Sequence, residues 1–214
     1  MHTPSEHTLS DIATAVSAGR PMDAEMVKRT RQILFGEERL VARMLSTETI
    51  DRAEADLLFR IHRSLARDRR DPSWHQLLAE AITSHVLKDE TSPGTLDDGE
   101  ADYLLSHIHR DDDVDEGELE LLVSVISAVR HAPKRFQTFV LAAVAEAVLA
   151  DGVIDDDDVR LVRRVIHGAG SGGGPDVDER EQQLLSSINA RSAGIPVSPL
   201  WHALLLEAGL QPEQ

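Results

Sequence analysis

The 214-residue chain contains no cysteine. Disulfides and thiol chemistry are therefore excluded, and a zinc site would have to be built from His and carboxylates alone. Aromatic side chains are nearly as scarce, at 3% of residues, with two Trp and one Tyr. Sheets favour aromatic and β-branched side chains, so an apolar content carried mostly by Leu, Val, Ile and Ala suits packed helices better. No stretch approaches the roughly 20 uninterrupted apolar residues of a membrane span. FVLAAVAEAVLADG comes nearest, and Glu146 interrupts it. MHTPSEHTLSDIATAVSAG, at the amino end, has neither the basic nor the apolar region of a secretory signal, so a cytoplasmic location is the expectation.

Positive charge is also short. Lys and Arg number 22 against 38 Asp and Glu, a formal charge of −16. No basic cluster is dense enough to track phosphates, so neither nucleic acid nor an anionic membrane surface is an expected partner. The charge is compatible with a protein partner, a metal cation or a solvated acidic surface. No G-x-S-x-G, P-loop, G-x-G-x-x-G or H-E-x-x-H motif is present. GSGGGP lacks the Lys and the following Ser or Thr of a phosphate cradle, and reads as linker. The expectation is a non-enzyme.

What the chain does have is repetition. DRAEADLLFRI at 51–61 matches DEREQQLLSSI at 178–188, and PSWHQLLAEA at 72–81 matches PLWHALLLEA at 199–208. Both matches hold at one offset of 127 positions, and the only two Trp residues, Trp74 and Trp201, coincide. Internal duplication is the natural reading. A more diverged middle copy places GELELLVSVISAV (117–129) and APKRFQTFVLAAVAEAVLAD (132–151) in the corresponding positions. Apolar residues recur on one helical face, as at Leu57, Leu58, Ile61 and Leu65, and no segment alternates like a strand. The expected fold is all-α, with about ten helices. It comprises an N-terminal helix and linker (1–21) and three tandem three-helix units at 22–89, 96–151 and 154–214, the last truncated. TSPG at 91–94 and GAGSGGGP at 168–175 supply the breaks.

Acidic clusters recur at fixed places. Ile50-Asp51, Leu96-Asp97, Val114-Asp115, Ile154-Asp155 and Val177-Asp178 are each followed, three residues after the Asp, by an acid: Glu54, Glu100, Glu118, Asp158 and Glu181. This is the spacing of a capping box with Asp as N-cap, preceded by an apolar staple residue. Further acids in the first turn suit the positive end of the helix dipole. The rival reading is a calcium loop over 89–100. Asp89, Thr91, Asp97 and Glu100 occupy ligand positions 1, 3, 9 and 12, with Gly94 at position 6 and Pro93 supplying no oxygen at position 5. Candidate cation ligands are therefore Asp89, Asp97 and Glu100.

ADGVIDDDDV at 150–159 resembles the A-D-G-apolar-x-x-x-acid signature of the TerB-like tellurite-resistance family, which is all-helical and bacterial. Ala150, Asp151, Gly152, Ile154 and Asp158 match, and the middle copy keeps Asp111, Val114 and Glu118 with Asp112 in place of the Gly. The order of elements over about 22–165 is similar too. The resemblance implies a link to metal stress and to multi-protein assemblies at the membrane. It also implies a cation site at Asp151, Asp155 and Asp158.

His62, His109 and His167 each follow an Ile near a helix carboxyl end, where the dipole favours an imidazole, so no ligand role is expected of them. His75 and His202 read as structural residues beside Trp74 and Trp201, which should anchor their helices in the core. The expected function is a non-catalytic, acidic, helical interaction or scaffold module with an unidentified protein partner, linked to metal or envelope stress. The alternative is a divalent-cation binder using the acidic helix starts, and no other cofactor is expected.

Overall fold

The computed structural model of the chain describes residues 8–36, 50–87, 94–108, 114–168, 177 and 179–211. It is all-helical. Ten α-helices occur among these residues: α1 Leu9–Ser17, α2 Ala24–Phe35, α3 Arg52–Ser64, α4 Pro72–Leu87, α5 Asp98–Ile108, α6 Glu116–Ala128, α7 Lys134–Leu149, α8 Asp156–Ile166, α9 Glu179–Arg191 and α10 Pro199–Glu207. A 3₁₀ turn, Arg67–Arg69, links α3 to α4. No described helix is long and apolar enough to cross a membrane.

The helix starts are set by local chemistry. A helix leaves its first amides without intrahelical acceptors, and a side-chain oxygen at the N-cap supplies one. Asp51 accepts from the Glu54 amide at 2.8 Å, while Glu54 accepts from the Asp51 amide at 3.1 Å. Asp97 with Glu100, Asp115 with Glu118 and Asp155 with Asp158 do the same, all at 2.8–3.0 Å. Two capped starts were not anticipated from the acidic clusters. Thr8 forms a reciprocal box with Asp11 ahead of α1, and Asp23 accepts from the Met26 amide ahead of α2. Asp178 lies outside the described residues.

Periodicity then decides which face is buried. In α8, Val159, Val162, Val165 and Ile166 are all at most 1% exposed, while Asp156, Asp157 and Arg160 face solvent. Burying each such aliphatic side chain stabilises by roughly 1.5–3 kcal/mol, so Val162→Asp would destroy this face.

Contacts gather the chain into two compact units, Met1–Thr91 with Asp115–Leu121 and Ser92–Val114 with Leu122–Gln214. In the first, α1 packs on α2 and α3, and α4 packs on α2 and α3. In the second, α7 packs on α8 and α9, and α8 packs on α10. This grouping follows contacts, whereas the three sequence units follow pattern. Residues 115–121 group with the first body because Asp115 is held there.

Among the described residues the extended pieces are isolated parallel bridges. Met22–Arg70 lies in the first unit, and Thr95–His131 and Ile154–Val197 lie in the second. Each bridge joins the chain just ahead of one helix (α2, α5 or α8) to the chain just ahead of another (α4, α7 or α10).

Candidate interaction site

The acidic helix starts are committed to their own backbones. Asp155 Oδ1 accepts from the amides of Asp157 and Asp158 at 2.8 and 3.0 Å, and Asp151 Oδ1 accepts from Val153 N at 3.0 Å. Partial burial raises the Asp158 pKa, and the neighbouring charges of Asp155, Asp151 and Asp157 add to the rise. Asp97 and Glu100 cap one another, and Asp89 lies outside the described residues. Among the described residues, no three His, Asp or Glu side chains gather where a metal ion could be held.

One acidic start does more than cap. In the first unit, Asp115 is only 11% exposed at its side chain and meets His62 Nε2 through both carboxylate oxygens, at 3.1 and 3.2 Å. Arg70 Nη1 pairs with Asp115 Oδ2 from a side chain that is 7% exposed. The other Arg70 nitrogens donate to the carbonyls of His62 (3.0 Å) and Leu65 (2.8 and 3.2 Å), so the guanidinium is fixed in place. Trp74 Nε1 donates to His62 Nδ1 at 3.2 Å. An indole nitrogen can only donate, which fixes the tautomer: Nδ1 accepts, and Nε2 carries the proton it gives to Asp115. Burial opposes ionisation of Asp115, but the hydrogen bonds from His62, Arg70 and the Glu118 amide hold its carboxyl well below the usual range.

The seat is also shaped by what is missing. A Cβ on Gly117 would lie 2.7 Å from His62 Cε1 and 2.9 Å from His75 Cδ2, so only glycine lets the first turn of α6 approach this closely. His75 stands edge-on to His62, with ring centroids 6.3 Å apart. Its pKa is lowered by burial first, and then by His62 and Arg70. A pocket of about 260 Å³ remains beside it, lined by Arg67, Asp68 and Glu116 among others.

His62 lies in the last turn of α3, as the sequence reading expects, and it is in addition a 1%-exposed residue bonded at both nitrogens. The signal lay in the Trp-His pair: the tryptophan buried at the start of α4 needs an acceptor for its N–H, and His62 provides it. Arg70 gave no signal, because it stands in the run RDRR and looks like solvated charge. His109 lies outside the described residues, and His167 is the C-cap of α8.

The second unit holds a counterpart: residues in and just ahead of α4 recur at the 127-residue offset, and those in and just ahead of α2 recur in and just ahead of α8. The Trp74 amide donates to the Asp71 carbonyl at 2.8 Å, and the Trp201 amide donates to the Ser198 carbonyl at 2.9 Å. Around Met22 and Ile154 the bridge hydrogen bonds are the same: Met22 N to Arg69 O and Asp71 N to Met22 O, Ile154 N to Pro196 O and Ser198 N to Ile154 O. Arg31 pairs with Glu80 and Arg163 with Glu207, both at 2.7 Å. Trp74 and Trp201 are each 0% exposed.

What differs is the lining. Asn189 stands where His62 does and Val197 where Arg70 does. Here an open cavity of about 510 Å³ is lined by Asn189, Ile195, Pro196, Val197, Trp201 and His202 among others. Trp201 Nε1 is buried and has no hydrogen-bond partner among the described residues. An adjoining notch of about 440 Å³ shares Pro196 and Val197, adds the exposed Val153, and is edged by Asp155, Asp156 and Asp157.

No family model, curated protein or solved structure matches this chain.

Proposed function

We propose that the chain is a non-catalytic, acidic, helical interaction module of TerB-like type, built from repeated three-helix units and working with a protein partner. The observation that carries this reading is the apolar notch at 153–157 and 196–199. Val153 at 38% and the neighbouring Leu200 at 43% expose aliphatic surface beside three carboxylates. Aliphatic patches rimmed by charge are what partner surfaces look like. The paired backbone of Ile154, Pro196 and Ser198 makes the floor rigid, which lowers the entropy a partner must overcome.

The non-catalytic part of the reading is supported by the buried cluster. A general base needs a free lone pair within reach of a substrate. His62 has neither, since Trp74 occupies Nδ1, Nε2 faces Asp115, and the residue is buried. The recurring bridge, cap and ion pair support the repeat.

The test is a pull-down with the full chain as bait at low and high salt. A partner retained at low salt and released at high salt is expected, because acidic rims act through screened charge. A chain that stays alone under gentle, low-salt conditions contradicts the reading. Calorimetry with calcium and manganese separates the alternative: heat at micromolar ion, with a melting temperature lowered by chelator, would favour cation binding instead.

A further inference from the structure

Two helix pairs in the second unit, α5 with α7 and α8 with α10, follow one plan. In each, an Asp N-cap opens the first helix and a parallel bridge ties the chain ahead of one helix to the chain ahead of the other. A fully buried aromatic, Phe136 or Trp201, stands third in the second helix. The residue before that aromatic is Arg135 in one pair and Leu200 in the other. Arg135 lies over the acidic start of α5. Its guanidinium pairs with Asp98 at 3.3 Å and with Asp102, and it also donates to the Asp98 carbonyl.

The pair α8–α10 keeps an acidic start and omits this arginine. Asp156, the counterpart of Asp98, accepts from the Ser198 hydroxyl and meets no Lys or Arg among the described residues. Asp157 pairs with Arg160 of its own helix, and both side chains are largely exposed. Such pairs are weak and exchange readily. Where Arg135 would stand, Leu200 is 43% exposed, and Val153, just ahead of the bridged Ile154, is 38% exposed. One helix start thus takes a guanidinium from its own chain, and the other offers carboxylates beside bare aliphatic surface. That combination points to a guanidinium brought from outside with an aliphatic neighbour. Arg135 bonds two carboxylates and a carbonyl at once, which suits the planar fork of arginine better than a lysine ammonium. The charge of −16 favours a basic incoming segment and disfavours a second copy of the chain.

We propose that the notch at 153–157 and 196–199 is a docking site for a segment of a partner protein that carries an arginine flanked by aliphatic residues. This deepens the interaction reading and rests on it. The guanidinium lies over the first turn of α8 against Asp156 and Asp157, as Arg135 lies over the start of α5. One aliphatic neighbour covers Val153 and Pro196, and the other covers Pro199 and Leu200. All six of these residues are exposed, so docking requires no buried group to be reached.

The probe is the acetylated, amidated peptide GLRLG, beside GLELG and GARAG. Nitrogen-15 NMR of the full chain follows the amides of 153–157, Val197 and Leu200. The expected result is a saturable shift of these amides at millimolar GLRLG, weakened by added salt. Binding should be at least about fivefold weaker for GLELG, the size of an exposed ion pair, and weaker also for GARAG. Leu200→Arg installs the residue of α7 and should weaken GLRLG binding by about fivefold, because the place is then filled from within the chain. Asp157→Asn, at an exposed side chain, is the second variant should the first perturb the fold, with the same loss expected. Amides unmoved at millimolar GLRLG overturn the proposal, and so does equal binding of GLRLG and GLELG or undiminished binding to both variants. Self-association that Leu200→Arg abolishes would assign the notch to a second copy and overturn it too. A chain that captures a partner while the notch amides stay silent loses this inference and keeps the interaction reading.

Discussion

Gly117 and His62 are separated by less than a side chain's width: a methyl group on Gly117 would sit 2.7 Å from His62 Cε1. In an exposed helix, Gly→Ala stabilises by about 1 kcal/mol. Here that gain competes with overpacking against two imidazoles, which costs typically 1–3 kcal/mol. Gly117→Ala should therefore destabilise by about 1 kcal/mol. Gly99→Ala, in the first turn of α5, meets only Asp97 Oδ1 at 3.3 Å and should be neutral or stabilising. Urea denaturation of both variants checks the sign; stabilisation by Gly117→Ala would mean the approach is looser than described.

His75 makes stability depend on pH. Burial, with His62 and Arg70, lowers its pKa below the ordinary 6.5, while Asp115 and Glu116 pull the other way. The folded chain then binds fewer protons than the unfolded chain, so stability rises with pH through this window. It is lost as pH falls below about 6.5 towards the folded value. Asp115 adds a second loss below the ordinary 3.8, since its depressed pKa gives stability that is present above that value and disappears in acid. His75→Gln should flatten the melting-temperature slope between pH 5 and 7 and leave the acid limb intact. An unchanged slope would assign the effect elsewhere.

The two tryptophans should not respond alike. Trp74→Phe strips His62 Nδ1 of its donor, at a cost of about 1–3 kcal/mol beyond the lost ring. Trp201→Phe loses ring volume but no described hydrogen bond, and it removes a buried unpaired N–H. The first variant should lose more stability by chemical denaturation. Equal losses would mean that the Trp74–His62 bond contributes nothing.

The helical class was legible because periodicity and capping are local. Asp51, Asp97 and Asp155 announce helix starts through a carboxylate three residues from its partner, and nothing distant is needed. Thr8 and Asp23 escaped notice because neither sits in an acidic cluster. The buried site was only half legible. Trp74 and Trp201 mark it through their shared offset, yet the meeting of His62, Arg70 and Asp115 spans 45 and 53 residues of sequence and depends on the fold. Arg70 reads as surface charge until Asp115 is placed against it. The cavity beside Trp201 is visible only in three dimensions, although the replacement of Arg70 by Val197 could be read from the aligned copies.

Asp115 caps its helix as Asp51 and Asp155 cap theirs and is, in addition, held in a buried seat. Denaturation of Asp51→Ala, Asp155→Ala and Asp115→Ala separates the two roles. Loss of a cap alone costs about 1 kcal/mol. Removing one partner of a buried ion pair costs about 3–5 kcal/mol, because Arg70 is left uncompensated. The first two variants should therefore fall by about 1 kcal/mol and Asp115→Ala by at least about 3. Three equal losses would reduce Asp115 to an ordinary cap and contradict the buried seat.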